Sequence, residues 1–282
     1  SHAWLSVYCP EVGWIDVEAT FTGVPARTLT LRMSRSSPGR YAVHEFAKNI
    51  FMFTVYDGAG KALTYERPAV NTWRVPSHDG SVRVVYRLYG DRIDGTYLGI
   101  DSTHAHMNMP AMLAWAEGLE ARPVRVSFVP PPGRAWRVAT QLFTTDDSLT
   151  FTAPNLQYLF DSPTEFSDHV LKTVDVTGPD GRTETIRAAI HHAGTDADVA
   201  QYMDAVEKIV RTQAGVFGEL PDFEPGYYTF LADYLPWSGG DGMEHRNSTV
   251  VTGRALTQGV GTASHEFFHA WNVERIRPRS LE

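Results

Sequence analysis

His265-Glu266-Phe267-Phe268-His269 lies within a run, from near Gly259 to Arg275, whose pattern predicts a helix. Residues four apart stand about 40° apart around a helix, so both imidazoles can meet one Zn²⁺ from the same face. Glu266 sits one step round from His265, where its carboxylate reaches a water at the metal rather than the metal, as a general base must. With 11 histidines in 282 residues, such a five-residue pattern arises by chance in about 2% of chains. A helix carrying two ordinary surface histidines is the competing reading, so context decides.

The context begins just upstream. Ser238-Gly239-Gly240-Asp241-Gly242-Met243-Glu244-His245 is a glycine-rich turn entering a strand predicted over Met243 to Thr252. Glycine there lets backbone approach a substrate, and Glu244 could hold a peptide's ammonium end. Taken alone, the turn equally suits a plain connection. Further back, Gly226 to Leu235 reads as a strand and Asp196 to Phe217 as a helix, with Val199, Tyr202, Met203, Val206, Ile209 and Val210 spaced at three and four. Asp196 or Asp198 is the expected N-cap. Thr185 to His191 reads as a strand, so the chain after about Asp161-Ser162-Pro163 forms a mixed α and β unit.

Before that point the grammar is β. Trp14 to Phe21 and Ser81 to Tyr89 alternate, Phe51 to Tyr56 runs into Asp57-Gly58, and Pro123 to Val129, Trp136 to Thr140 and Leu149 to Thr152 are further short runs. Ala111 to Glu120 stays open between helix and strand, its alanines opposed by Gly118 and nearby prolines. The expected class is α+β: a β-sandwich-like domain over residues 1–165, then an α/β unit over 166–282.

Composition narrows the function. A net charge of −8 and a pI near 5.8 argue against a phosphate-neutralising surface, so nucleic acid is not an expected partner. No run approaches the roughly 20 apolar residues of a membrane span. Cys9 is the only cysteine, which excludes an intrachain disulfide and a Cys-x-x-Cys knuckle. A soluble protein is expected, with the compartment, cytoplasmic or exported, left open.

Gly240-Asp241-Gly242-Met243-Glu244-His245-Arg246-Asn247-Ser248, followed by His265-Glu266-Phe267-Phe268-His269-Ala270-Trp271-Asn272-Val273-Glu274-Arg275-Ile276-Arg277-Pro278, resembles the glycyl aminopeptidase family, the PDZ-bearing branch of the gluzincin metallopeptidases. Ser37-Pro38-Gly39-Arg40-Tyr41, Glu45-Phe46-Ala47-Lys48-Asn49 and Phe160-Asp161-Ser162-Pro163 are similar to elements of that family's N-terminal β domain, so the resemblance spans most of the chain. It implies a thermolysin-like zinc domain, His265 and His269 as zinc ligands, Glu266 as the general base, and Gly242-Met243-Glu244 as the substrate loop with Glu244 on the free amino group. Asp241 stands where related aminopeptidases carry alanine, and His245 where they carry asparagine.

The resemblance also implies a third zinc ligand, a glutamate on a later helix, and a more distant tyrosine for the oxyanion, neither of which is matched. Glu274 would stand about 140° round a continued helix from His269 and point off the metal face. A site of two histidines predicts low zinc occupancy in this chain, and the family's C-terminal helical lobe and PDZ domain are expected to lie beyond it. The chain then reads as an incomplete N-terminal portion.

Three functions follow for test: a zinc aminopeptidase releasing small N-terminal residues such as Gly or Ala, a non-catalytic peptide-binding module, and a metallo-endopeptidase. The remaining histidines read as structural. His104 and His106 stand two apart in a β context and read as packing or hydrogen-bonding residues, and His191-His192 point to opposite faces of a strand.

Overall fold

Alternation makes the N-terminal strands half-buried, and the computed structural model, which describes residues 3–11, 13–273 and 275–279, places them accordingly. Ile15, Val17, Ala19 and Phe21 of Trp14–Thr22, and Val82, Val84, Tyr86 and Leu88 of Ser81–Tyr89, turn to one core. These two strands pair inside a seven-stranded sheet ordered Phe143–Thr144, Thr150–Ala153, Val124–Val129, Ala3–Glu11, Trp14–Thr22, Ser81–Tyr89 and Ile50–Asp57. A four-stranded sheet, Ala114–Ala116, Leu29–Met33, Thr72–Val75 and Glu66–Ala69, shares its core. The ambiguous stretch resolves into both forms: a helical turn, Met109–Met112, with Pro110 in its first turn where no amide partner is lost, then the strand Ala114–Ala116. Tyr86 fixes that junction, donating to the Met112 carbonyl and accepting from the Ala114 amide, both at 2.9 Å.

A third sheet, Arg137–Thr140, Thr164–Ser167, His104–Met107 and Leu98–Ile100, has its two middle strands buried along their whole length. Such strands must be covered on both faces. One cover is the N-terminal core; the other is a fourth, five-stranded sheet.

That sheet runs Val170–Thr177, Thr183–His192, Tyr227–Tyr234, Ser248–Gly253 and Asp241–Glu244, its three middle strands parallel and its two edges antiparallel. Parallel neighbours need a crossover, supplied between the second and third strands by the helix Asp196–Phe217. Ile186, Ala188, Ile190, Tyr228, Phe230 and Ala232 face the helices, while the alternate residues Ala189, His191, Leu231 and Asp233 point the other way. The strand Val170–Thr177 escapes sequence reading because it is a mostly exposed edge with little alternation.

Three expectations need correction. The single strand read over Met243 to Thr252 is two, Asp241–Glu244 and Ser248–Gly253, which turn back on each other and pair antiparallel. The long helix is capped by Thr195, not by Asp196 or Asp198: Thr195 accepts from the Asp198 amide while Asp198 reaches back to the Thr195 amide at 2.8 Å, a capping box. The second helix is Val260–Phe268, ending well before Arg275. The amides of His269, Ala270 and Trp271 bond to carbonyls three residues back, tightening the last turn, and the chain then reverses. Glu274, expected to point off the metal face, lies outside the described residues.

Candidate metal centre

Ala263 and Phe267 anchor one side of the short helix in the core, where Phe267 meets Tyr228, Phe230 and Trp271 edge-on or tilted. His265 and His269 stand on the other side. Their Nε2 atoms lie 3.3 Å apart with the rings nearly perpendicular. Zinc–nitrogen bonds of about 2.0–2.1 Å in a tetrahedral site put neighbouring donors roughly 3.4 Å apart, so the pair fits two corners of a zinc site. His269 Nδ1 donates to the Asn272 carbonyl at 2.8 Å, which leaves its Nε2 lone pair for a metal. The early end of the helix brings that carbonyl within reach.

Glu266 is 6% exposed and lies beneath the strand Asp241–Glu244. A Cβ at Gly242 would overlap its carboxylate and also crowd Thr262, so glycine is the residue that allows strand and helix this close. Burial, reinforced by the Glu244 carboxylate, pushes the Glu266 pKa up to about 7. A carboxyl near neutrality can both take and return a proton. Ligand atoms of Glu244, Glu266 and His269 lie within 4.8 Å of one another, so the strand places Glu244 beside His269 and Glu266.

The N-terminal sheets complete this wall through residues whose roles the sequence hid. Arg40 forms an ion pair with Asp241, whose Oδ2 also accepts from the Gly95 amide at 2.9 Å. Gly39 packs against the side chains of Met243 and Glu244. His245 Nδ1 meets Asp161 Oδ1 at 2.9 Å, and Asp161 Oδ2 accepts from the Arg246 amide. Asp241 and His245, the two departures from the related pattern, thus both take side-chain partners from the N-terminal unit, Arg40 and Asp161. Arg40 and Asp241 are 201 positions apart, and no local signal links them. A cleft of about 540 Å³ opens here, lined by Arg40, His44, Tyr97, Trp237, Gly240 and Asp241.

One reading needs amending. His104 and His106 have carboxylates beside them: Glu165 from the neighbouring strand and Asp233 from the fourth sheet. His191 joins them, 3.6 Å from Asp233.

Known proteins share this architecture. The Peptidase M61 N-terminal domain family matches residues 5–168, and the M61 glycyl aminopeptidase family matches residues 258–282. No curated protein matches the chain. Among solved structures, an aminopeptidase N family protein from Idiomarina loihiensis superposes with a TM-score of 0.83 at 23% identity, over 99% of this chain and 49% of that one. An M1 zinc metallopeptidase from Deinococcus radiodurans gives 0.55 at 18% identity, over 96% and 63%. An aminopeptidase A from Legionella pneumophila in complex with aspartic acid gives 0.57 at 10% identity, over 96% and 34%. These likenesses show the fold, α+β with an N-terminal β domain followed by a mixed α/β part, and the chain spans less than two thirds of each structure.

Proposed function

The chain belongs to the M61 glycyl aminopeptidase family, and from that premise we propose that it forms part of a zinc aminopeptidase that removes small N-terminal residues from peptides. The observation that carries this reading is the 3.3 Å approach of His265 Nε2 and His269 Nε2 beside the buried Glu266. On this reading His265 and His269 hold Zn²⁺, and a third protein ligand comes from outside residues 1–282. Zinc in such a site polarises the scissile carbonyl and eases deprotonation of water. Glu266 takes the proton of the attacking water and delivers it to the leaving amine, as a buried carboxylate beside the two imidazoles is placed to do.

Glu244 supports exopeptidase action by its position. A free amino group lies only two bonds, N–Cα and Cα–C, from the first carbonyl carbon, a span of about 2.5 Å. An amine anchor must therefore sit close to the metal ligands, and Glu244 does, with a carboxylate oxygen within 4.8 Å of both the Glu266 and the His269 ligand atoms. Gly242 and Met243 would carry the backbone along which the substrate lies. The division into a β domain over 1–165 and a catalytic portion over 166–282 is part of the same proposal.

In the full-length protein, Glu266→Gln should lower kcat by about 10³-fold or more while zinc content stays unchanged; retained turnover would assign the base to another group. Glu244→Gln should raise KM for peptides with a free amino terminus by about tenfold or more and leave blocked peptides unaffected. Efficient cleavage of blocked peptides would indicate an endopeptidase, and zinc loss without any effect on peptide binding would favour a binding module.

A further inference from the structure

Four polar side chains from four strands meet in the interior where the third and fourth sheets face each other. His104 and Glu165 lie on neighbouring antiparallel strands, Glu165 being paired in register with His106 two positions along. His191 and Asp233 are register partners in the parallel pair Thr183–His192 and Tyr227–Tyr234. Ligand atoms of all four lie within 4.8 Å of one another. His104, Glu165 and Asp233 are 0% exposed and His191 only 8%.

Such groups are normally paired when buried, because an unpaired polar atom costs about 1–3 kcal/mol and a charge more. Here both oxygens of Glu165, both oxygens of Asp233, both nitrogens of His104 and Nδ1 of His191 lack a hydrogen-bond partner. The spacing explains why. His104 Nδ1 is 3.4 Å from Glu165 Oε1 and 3.5 Å from Asp233 Oδ1, and His191 Nδ1 is 3.6 Å from Asp233 Oδ1. These separations are too long for N–H···O bonds of about 2.7–3.2 Å. They match the donor-to-donor edge of roughly 3.4 Å in a tetrahedral zinc site.

We propose that His104, Glu165, His191 and Asp233 form a second zinc site, structural in character, that clamps the N-terminal β unit to the sheet carrying the Gly242-Met243-Glu244 strand. Two imidazoles and two carboxylates suit a borderline cation such as Zn²⁺ better than Mg²⁺ or Ca²⁺, which prefer all-oxygen shells. Four protein donors close the coordination sphere, as structural sites require. Two further groups stand around the four donors. His104 Nε2 faces Asp101 Oδ2 at 3.5 Å, and Asp101 is itself held by the amides of Thr103 and His104. His106 donates from Nε2 to the Asp94 carbonyl, and its Nδ1 lies 2.9 Å from Asp233 Oδ2, a contact that becomes attractive when the ring is protonated on both nitrogens.

The rival arrangement is a metal-free cluster in which the imidazoles carry the compensating protons. Burial opposes that charge on His104, but Glu165 and Asp233 outweigh it and hold its pKa well above the usual value. In either case the two carboxylates demand positive charge; the proposal assigns it to a metal ion.

The site shares no residue with the His265/His269 pair, so it can be tested with that pair removed. The full-length His265→Ala/His269→Ala protein, loaded with ZnCl₂ and dialysed, should retain about one zinc per chain by mass spectrometry. Adding His191→Ala should bring that to near zero. Should the triple variant fail to fold, Co²⁺ loading of the double variant decides the same point: an intense tetrahedral visible spectrum is expected. No retained zinc in the double variant, full retention after His191→Ala, or a cobalt spectrum without tetrahedral character would each overturn the proposal. None of these outcomes depends on peptidase activity.

Discussion

Gly242 holds the strand Asp241–Glu244 and the helix Val260–Phe268 at contact distance. Its missing side chain leaves room for the Glu266 carboxylate and the Thr262 methyl, which sets how far Glu266 stands from the imidazoles and from Glu244. Gly242→Ala should push the edge strand off the helix without unfolding the sheet behind it. Misplacement on the scale of 1 Å costs about 10²-fold in rate, so kcat/KM should fall by about that factor while far-UV circular dichroism is unchanged. At this scale the sequence was informative where chemistry is local. His265, Glu266 and His269 lie within five residues, and helical phase alone orients them. Arg40, Gly95 and Asp161 were not legible in their roles, because each acts on a residue far along the chain.

The long helix Asp196–Phe217 shows how an element can be read correctly and its end misassigned. Its apolar residues at three and four spacing, Val199, Tyr202, Val206 and Val210, are buried as expected, and Gly218 closes it in a left-handed conformation with its amide on the Ala214 carbonyl. At its start both Thr195 and Asp198 are good capping residues, and only the geometry shows that they cap each other. Thr195→Ala should cost about 1 kcal/mol and lower Tm by about 2 °C, read by thermal melting. No change would mean that Asp198 alone suffices. The helix bearing His265 ended early for a similar reason. Its pattern continues, but the chain turns so that Asn272 can meet His269 and Trp271 can join Phe217 and Phe267.

Across the whole molecule, the interface between the third and fourth sheets carries an unusual load of buried titratable groups, and pH should test it. His169, 3% exposed and bonded to Ser167, has its pKa lowered to about 4, chiefly by burial, from an ordinary 6.5. Above pH 6.5 both folded and unfolded chains hold it neutral. As pH falls from 6.5 towards 4 the unfolded chain takes up the proton and the folded one does not, so stability falls with pH in that window. His169→Gln should flatten that fall, measured as urea midpoints at pH 7 and pH 4.5; equal slopes in both proteins would place the acid sensitivity elsewhere.

What the sequence determined by itself was the α+β class, the clearly alternating strands such as Trp14–Thr22 and Ser81–Tyr89, the long helix and the spacing of His265, Glu266 and His269, because strand alternation and helical periodicity act over a few residues. What only the tertiary structure decided was the meeting of His104, Glu165, His191 and Asp233, and the grip of Arg40 and Asp161 on the strand Asp241–Glu244. Read along the chain, His104 and His106 had only Asp101 close by. Two sheets packed face to face gave them two, since contacts between sheets depend on register and layer order, which no local pattern encodes.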